Sequence, residues 1–492
     1  MFNKLFIVLF VIFVKNTAFA SGPKQPVSYE EQTVAKVAQV IEVSHQQEAS
    51  IWPGYDLSKT PVVIWFTNGH IYAFNLNSDD AHWKKSKNPN VKYSSHDYWG
   101  ICEVEMNPEY LLAGQEVYVF HIDLMKRDPV LPFLVLVHER FHSHQFGQFS
   151  DVKGFTDTYK DYLNVDNIAL IRLEDQLLGQ YTLSERPTDR MELLKDFLAI
   201  HKSRMKLIKP SSANWERHQQ RMEGLADYVS FKTLETPGLM PGYHRKRHLQ
   251  SNLDSYAKNP DAVELAIKHR HYGVGAALGF ALDDIGLKNW KTEIINNQKA
   301  MDELLEESVV LSDSEVSTRA QKLKQKYGFE NIKKDVAVLL TRYKQNITKL
   351  MDGYHAQTGV SMVIHQPEGI NTSGGGGDHG MYYIDEGILS VGNSTISSTV
   401  DNTWQIRLDE VSYLLQGKQG ERTFKVEEGL QVVLDGENYD LQELISTAAA
   451  RPFTTLTWKG KNSEFISKAN KGILYTKKGK VIVDFKNIAT TL

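Results

Sequence analysis

The 492-residue sequence predicts an α+β protein: a small mixed sheet, then a helical block, then a separate β-rich domain. Three observations carry this. Runs of β-branched and aromatic residues cluster between positions 61 and 122. From about 130 to 350 apolar residues recur at three- and four-residue spacing, the period of a helix face. Beyond about 360, short strand-like runs alternate with turn signals such as Asp435-Gly436, Lys459-Gly460 and Lys478-Gly479. A chain of this length exceeds one ordinary core, so several domains are expected.

Residues 1–20 have the pattern of an export signal. Lys4 supplies a positive start, Leu5 to Val14 an apolar core too short to span a bilayer stably, and Ala18-Phe19-Ala20 a small-x-small cleavage site. The mature protein is therefore expected in a bacterial periplasm or outside the cell, without stable membrane insertion. Cys102 is the only cysteine, which excludes an intramolecular disulfide and fits that compartment; it reads as a buried thiol rather than a nucleophile.

Tyr29 to Glu48 carries Val34, Val37, Ala38, Val40 and Ile41 at helical spacing. Pro61 to Phe66 and Ile71 to Leu76 read as strands joined by the turn Thr67-Asn68-Gly69, and Glu116 to Ile122 as a third. That third strand is expected to be a sheet edge to which an extended peptide adds. Asp128-Pro129 reads as a cap and first turn of the next helix. Ala169–Gly179, Arg190–Ile208, Asn214–Leu234, Ala262–Ile285 and Met301–Val309 follow as helices. The sheet-containing part is expected to extend from 21 to about 128, the helical part over 129–355, and the β-rich accessory domain over 360–492.

Net charge is −4, which leaves no electrostatic case for nucleic acid. The cluster Arg245-Lys246-Arg247-His248 reads as a solvated loop. Thr372 to Gly380 is glycine-rich but lacks the lysine of a phosphate loop, and reads as a surface loop. In the β-rich domain the strand candidates are Met381–Ile384, Gly387–Val391, Trp404–Leu408, Phe424–Val426, Leu430–Leu434, Phe453–Trp458 and Val481–Phe485.

The segment that carries chemistry is His138-Glu139-Arg140-Phe141-His142, after the apolar run Phe133 to Val137. On a helix, residues four apart share a face, so both imidazoles can point at one metal ion. Glu139 is rotated by about 100°, where it can reach a metal-bound water without being a ligand. Two neutral imidazoles suit Zn²⁺, which needs a third protein ligand if one position is left for water. His144 lies on another helix face. Gln145 and Gln148 stand where a longer HExxHxxGxxH would need glycine and histidine, so the third ligand must come from elsewhere. Glu223 is the leading candidate: Asp227 follows it by four residues and can accept a hydrogen bond from a ligand histidine, while Gly224 and Ala226 would let the helix approach closely. Glu174 is the alternative, nearer in sequence but without the i+4 acid.

His138-Glu139-x-x-His142 followed by Glu223-x-x-x-Asp227 resembles the gluzincin group of zinc metallopeptidases, of which thermolysin is the familiar case. The resemblance lies in motifs between about 115 and 285. The gap from His142 to Glu223 is longer than in thermolysin-like enzymes and would have to hold an inserted helical pair. It implies a zincin-like catalytic domain, with zinc bound by His138, His142 and Glu223, Glu139 as base, and Asp227 supporting a histidine. It also implies an oxyanion donor from a later helix, where Tyr272 and His271 in His269-Arg270-His271-Tyr272-Gly273 are the candidates. That cluster reads as a helix start, and Arg270 as an alternative contact for a substrate carboxylate. The implied activity is an exported zinc metallopeptidase acting on a peptide or protein substrate. The alternatives are a zinc hydrolase of another amide or ester, and a non-catalytic carbohydrate- or cell-wall-binding protein.

Overall fold

The computed structural model describes residues 28–104, 106–150, 159–240, 245–253, 263–296, 299–365, 372–374, 380–384, 387–398, 404–416, 421–447, 450–467 and 472–485. The expected export signal lies outside them, as does most of the glycine-rich segment. The fold is mixed α+β, and among the described residues no helix is long and apolar enough to cross a membrane. The chain divides at residues 340 and 341 into two compact units. This lies before the expected break at 355–360, because the last turns of one long helix, Phe329–Ala356, belong with the β-rich unit: Tyr354 Oη donates to the Thr423 carbonyl (3.3 Å).

The first unit opens with helices α1 (Tyr29–Gln46) and α2 (Glu48–Ile51) and a six-stranded sheet. Its strands are β1 (Val62–Trp65), β2 (Ile71–Phe74), β3 (Lys84–Lys85), β4 (Val91–Ser94), β5 (Met106–Leu112) and β6 (Gln115–His121), in the order β3-β4-β2-β1-β6-β5. β1 is parallel to β6 and antiparallel to β2, and all four of its residues are buried, so both its faces are covered. Val63, Trp65, Ile71, Ala73, Val117 and Val119 form one apolar layer with Ile101 and Leu112. The strand 116–122 expected at an edge is interior. β5, which carries no strong alternation in sequence, pairs antiparallel along it and takes the edge, with a register shift between Asn107 and Tyr110.

Helix α3 (Leu131–Gln148) follows the sheet. It starts after the expected cap because Asp128 Oδ1 accepts from the backbone N–H groups of both Val130 (2.8 Å) and Leu131 (3.0 Å), leaving Pro129 outside and Pro132 in the first turn. Then come α4 (Val165–Leu183), α5 (Pro187–Met205) and α6 (Pro210–Gln219). The expected single helix 214–234 is interrupted: Gln220–Gly224 is a π-helical turn between α6 and α7 (Leu225–Leu234). The basic cluster at 245–248 opens helix α8 (Arg245–Leu253) rather than a loop. Arg245 pairs with Glu235 (2.9 Å) and lies 3.8 Å over the Phe280 ring, contacts that order it. Helix α9 (Val263–Asp284) precedes α10 (Trp290–Ile295), α11 (Met301–Ser308), α12 (Asp313–Lys326) and α13 (Phe329–Ala356). His269–Tyr272 thus sits inside α9, not at its start.

The second unit contains an eight-stranded and a seven-stranded sheet sharing one apolar core, with Met362, Ile364 and Phe424 from the first, Trp404, Ile406, Trp458 and Phe465 from the second, and Leu441 and Leu444 from a short helix, Leu441–Thr447. The expected strand 453–458 is two strands in different sheets, Arg451–Phe453 and Leu456–Lys459.

The helical block buries charge. Arg204 is fully enclosed and makes a bidentate pair with Glu216 (2.7 and 2.6 Å) and a bond to Glu174 (2.7 Å). Arg270, also fully enclosed, bonds Glu174 (2.9 Å) and Asp175 (2.8 Å). His201 bridges Glu174 and Asp302 (3.0 and 3.3 Å). Glu174 is therefore held among two guanidinium groups and an imidazole, and the alternative that made it a metal ligand is corrected. Burial alone would raise its pKa, but Arg204 and His201 overcome this and hold it at about 2. A depressed carboxylate contributes stability above its ordinary value of 4.5 that is lost as pH falls toward 2, so this helical block should loosen across that window. Arg204→Met, which removes the guanidinium partner of Glu216 and one of the two that hold Glu174, should lower unfolding free energy by about 3–5 kcal/mol. Urea denaturation of the two proteins at neutral pH measures this, and an unchanged midpoint would contradict the network.

Candidate metal centre

α3 is the scaffold of the centre. Val137 O accepts from the Tyr55 hydroxyl (3.0 Å) and Leu134 O from Ser230 Oγ (3.2 Å), while the Arg140 guanidinium lies 5.8 Å over the Tyr118 ring of β6. Anchored on three sides, the helix presents His138 and His142 one turn apart, with their Nε2 atoms 3.1 Å from each other. Glu223 enters from the π-helical turn, its Oε2 3.4 Å from each Nε2. These are the residues whose ligand atoms come together within 4.8 Å in a group that can hold a metal ion. All three are buried, at 5, 6 and 4% exposure.

The hydrogen bonds behind the rings say which way the lone pairs point. Gln145 Nε2 donates to the carbonyls of Arg221 and Met222 (both 2.9 Å), which leaves its Oε1 as an acceptor for His142 Nδ1 (2.7 Å). His138 Nδ1 likewise donates to the Asp227 carboxylate (2.9 Å). Each imidazole carries its proton on Nδ1, so both Nε2 atoms turn lone pairs inward, toward the Glu223 oxygen that has no hydrogen bond of its own. Three electron-rich atoms converging in a buried site require a cation between them. The residues present therefore fit a metal ion.

In the metal-free protein a proton meets part of that requirement. Burial lowers the pKa of His138, but the Asp227 and Glu223 carboxylates, one beside each ring nitrogen, prevail and raise it to about 10. Burial pushes Glu223 upward, and bonding to His138 and His142 reverses this to hold it well below the usual carboxylate range.

Glu139 is half-buried and its Oε1 is enclosed without a hydrogen-bond partner. Tyr272 of α9 stacks on His138, with ring centroids 5.6 Å apart and planes within 6°. Burial and then the charge of Glu223 hold its hydroxyl protonated, well above the ordinary range. His271, one position earlier, is rotated away. It is fully buried, 3.3 Å from Gln220 Nε2 and packed on Trp215, and burial followed by the charge of Arg270 brings it down to about 3. Of the two oxyanion candidates, only Tyr272 stands beside the histidines. Arg270, engaged by Glu174 and Asp175, has no exposure to substrate. His144 packs against Tyr55 and Phe141, away from the centre. Burial and Asp97 push the half-buried Cys102 thiol up to about 11, in keeping with an inert role.

Sequence reading missed Gln145, noted only as a residue that is not a ligand; its spacing of three from His142 is the signal that could have found it. It also missed the π-helical turn and the partner of Gly224. A Cβ on Gly224 would collide with Gly275 Cα and lie 2.7 Å from the His271 carbonyl; one on Gly275 would lie 2.5 Å from the Gln220 carbonyl. Glycine at both positions lets the two backbones touch.

No protein-family model matches the chain, no curated protein matches it, and no solved structure matches it.

Metal uptake should expel the proton held on His138. Calorimetric titration with Zn²⁺ at pH 7 in buffers of different ionisation enthalpy should show release of about one proton per site, and none if the imidazole is already free. Gln145→Met should weaken metal binding by about 10–100-fold in chelator competition, because His142 loses the partner that sets its tautomer.

Proposed function

We propose that this protein is an exported zinc metallopeptidase with a zincin-like catalytic unit of the gluzincin type, acting on peptide or protein substrates. The observation that carries the reading is the inward convergence of the His138, His142 and Glu223 lone pairs beside the unpartnered carboxylate oxygen of Glu139. Two imidazoles and one carboxylate are a donor set suited to catalytic zinc, with a position left open. Bound there, Zn²⁺ supplies Lewis acidity, which polarises a scissile carbonyl and acidifies water to a pKa of about 7.

The chain's own residues supply the rest. Glu139, one position along from His138 and with its Oε1 unpartnered among the described residues, takes the proton of the attacking water and returns it to the leaving amine. Tyr272, its hydroxyl kept protonated, donates to the oxyanion of the tetrahedral intermediate. Asp227 and Gln145 hold the two imidazoles in the tautomer that binds metal. In the sheet, β5 is the edge to which an extended substrate can add. The pattern of residues 1–20 supports export.

Cleavage of a mixed synthetic peptide pool by the zinc-loaded protein, followed by mass spectrometry, tests this. Glu139→Gln should retain metal and fold while the rate drops by about 10²–10⁴-fold; undiminished hydrolysis would sink the mechanism. Tyr272→Phe should reduce kcat by about 10²–10³-fold with little change in KM.

A further inference from the structure

Arg270 was the sequence's candidate for binding a substrate carboxylate, and it is locked in the buried ion network. Another cation is better placed. Lys268 lies on α9 four residues before Tyr272, and such residues are one turn apart on the same face. The Tyr272 ring is parallel to that of His138, so this face of α9 is the one turned to the metal centre. His269, beside it, has its ring edge-on to Tyr272 at 6.0 Å. The charge of Lys268 reaches both neighbours: it helps lower Glu223 and opposes protonation of His269.

Lys268 is half-buried, yet among the described residues no hydrogen bond or ion pair engages its ammonium. Several other cations of this block are paired: Arg204 and Arg217 with Glu216 and Asp302, Lys232 with Asp283, Lys291 with the Ser50 and Ile51 carbonyls. Glu223 feels the charge of Lys268, but no ion pair joins the two among the described residues, and its Oε2 is directed at the two imidazoles. An ammonium with no partner among the described residues is available to an anion arriving with the substrate, and a charge-assisted hydrogen bond there would favour binding. As a compact point charge, lysine accepts a carboxylate without the fixed geometry of a bidentate pair.

We infer that Lys268 is a specificity-determining residue, pairing with a substrate carboxylate close to the scissile bond, so that the preferred substrates are peptides carrying one there. The inference rests on the peptidase reading. The carboxylate has two chemical sources, a free C-terminus or an acidic side chain.

Matched synthetic peptides separate them: one pair differs as free acid against C-terminal amide, the other as Glu against Gln beside the cleavage site. The zinc-loaded wild type should cleave one acidic member with kcat/KM about 10–100-fold higher than its neutral twin, the range expected for a hydrogen bond to a charged group. The pair that discriminates identifies the source. In Lys268→Met that ratio should collapse toward one, mainly through KM, and Lys268→Arg should restore part of it. Circular dichroism and zinc content of each variant establish that fold and metal site persist. Equal cleavage of both members of both pairs by wild type, or an undiminished ratio in Lys268→Met, overturns the role of Lys268 while leaving the peptidase reading intact. If the zinc-loaded protein neither cleaves nor binds any of the four peptides, both fail.

Discussion

The contact between Gly224 and Gly275 is the constraint on which the centre depends. It brings α9 against the π-helical turn with no side chain between them. The turn carries Glu223 and α9 carries Tyr272, so this crossing sets the distance from carboxylate to imidazoles and lays the tyrosine ring on His138. Any larger residue would push the two elements apart by the width of a methyl group, in a packed interior that has no slack to absorb it. The π turn contributes on its own account. It shifts the helical phase, so that Glu223 and Asp227 both reach His138, one at each ring nitrogen.

The centre is poised by hydrogen bonds made outside it. Asp227 and Gln145 each hold an Nδ1 proton, and each is itself held by its place in the helical block: Gln145 through two carbonyls of the π turn, Asp227 through its position on α7. Thus the π turn supplies one donor atom directly and orients a second through Gln145. In a buried site such control has a large effect, because an imidazole with its proton on the wrong nitrogen would turn a donor where a lone pair is needed.

The buried ion network is a neighbour of this centre with a different role. Glu174, Glu216, Arg204 and Arg270 join α4, α5, α6 and α9, two of which lead directly into the π turn and to Tyr272. Every charge in it faces an opposite one, so it contributes orientation more than net stability. The contrast between its acids and Glu223 is instructive. Glu174 sits between guanidinium groups, which are permanent cations; Glu223 sits between two imidazoles, which can exchange a proton for a metal ion. That difference, not proximity in sequence to His142, makes Glu223 the ligand candidate.

Much of the centre was legible in the chain itself. Helical periodicity puts His138 and His142 on one face and Glu139 beside them, because i, i+4 spacing is a property of the helix alone. The same rule made Glu223 with Asp227 a plausible pair, and the alternation of sheet, helical block and β-rich segment was readable from hydrophobic period. Only the tertiary structure could say which of Tyr272 and His271 lies beside the histidines, since adjacent helix positions differ by a rotation whose sense is fixed by what the helix packs against. The same holds for the capture of Arg270 and Glu174 by charges distant in sequence, and for β5 displacing β6 from the sheet edge. Such outcomes depend on which surfaces meet, and periodicity within one segment carries no information about its partner.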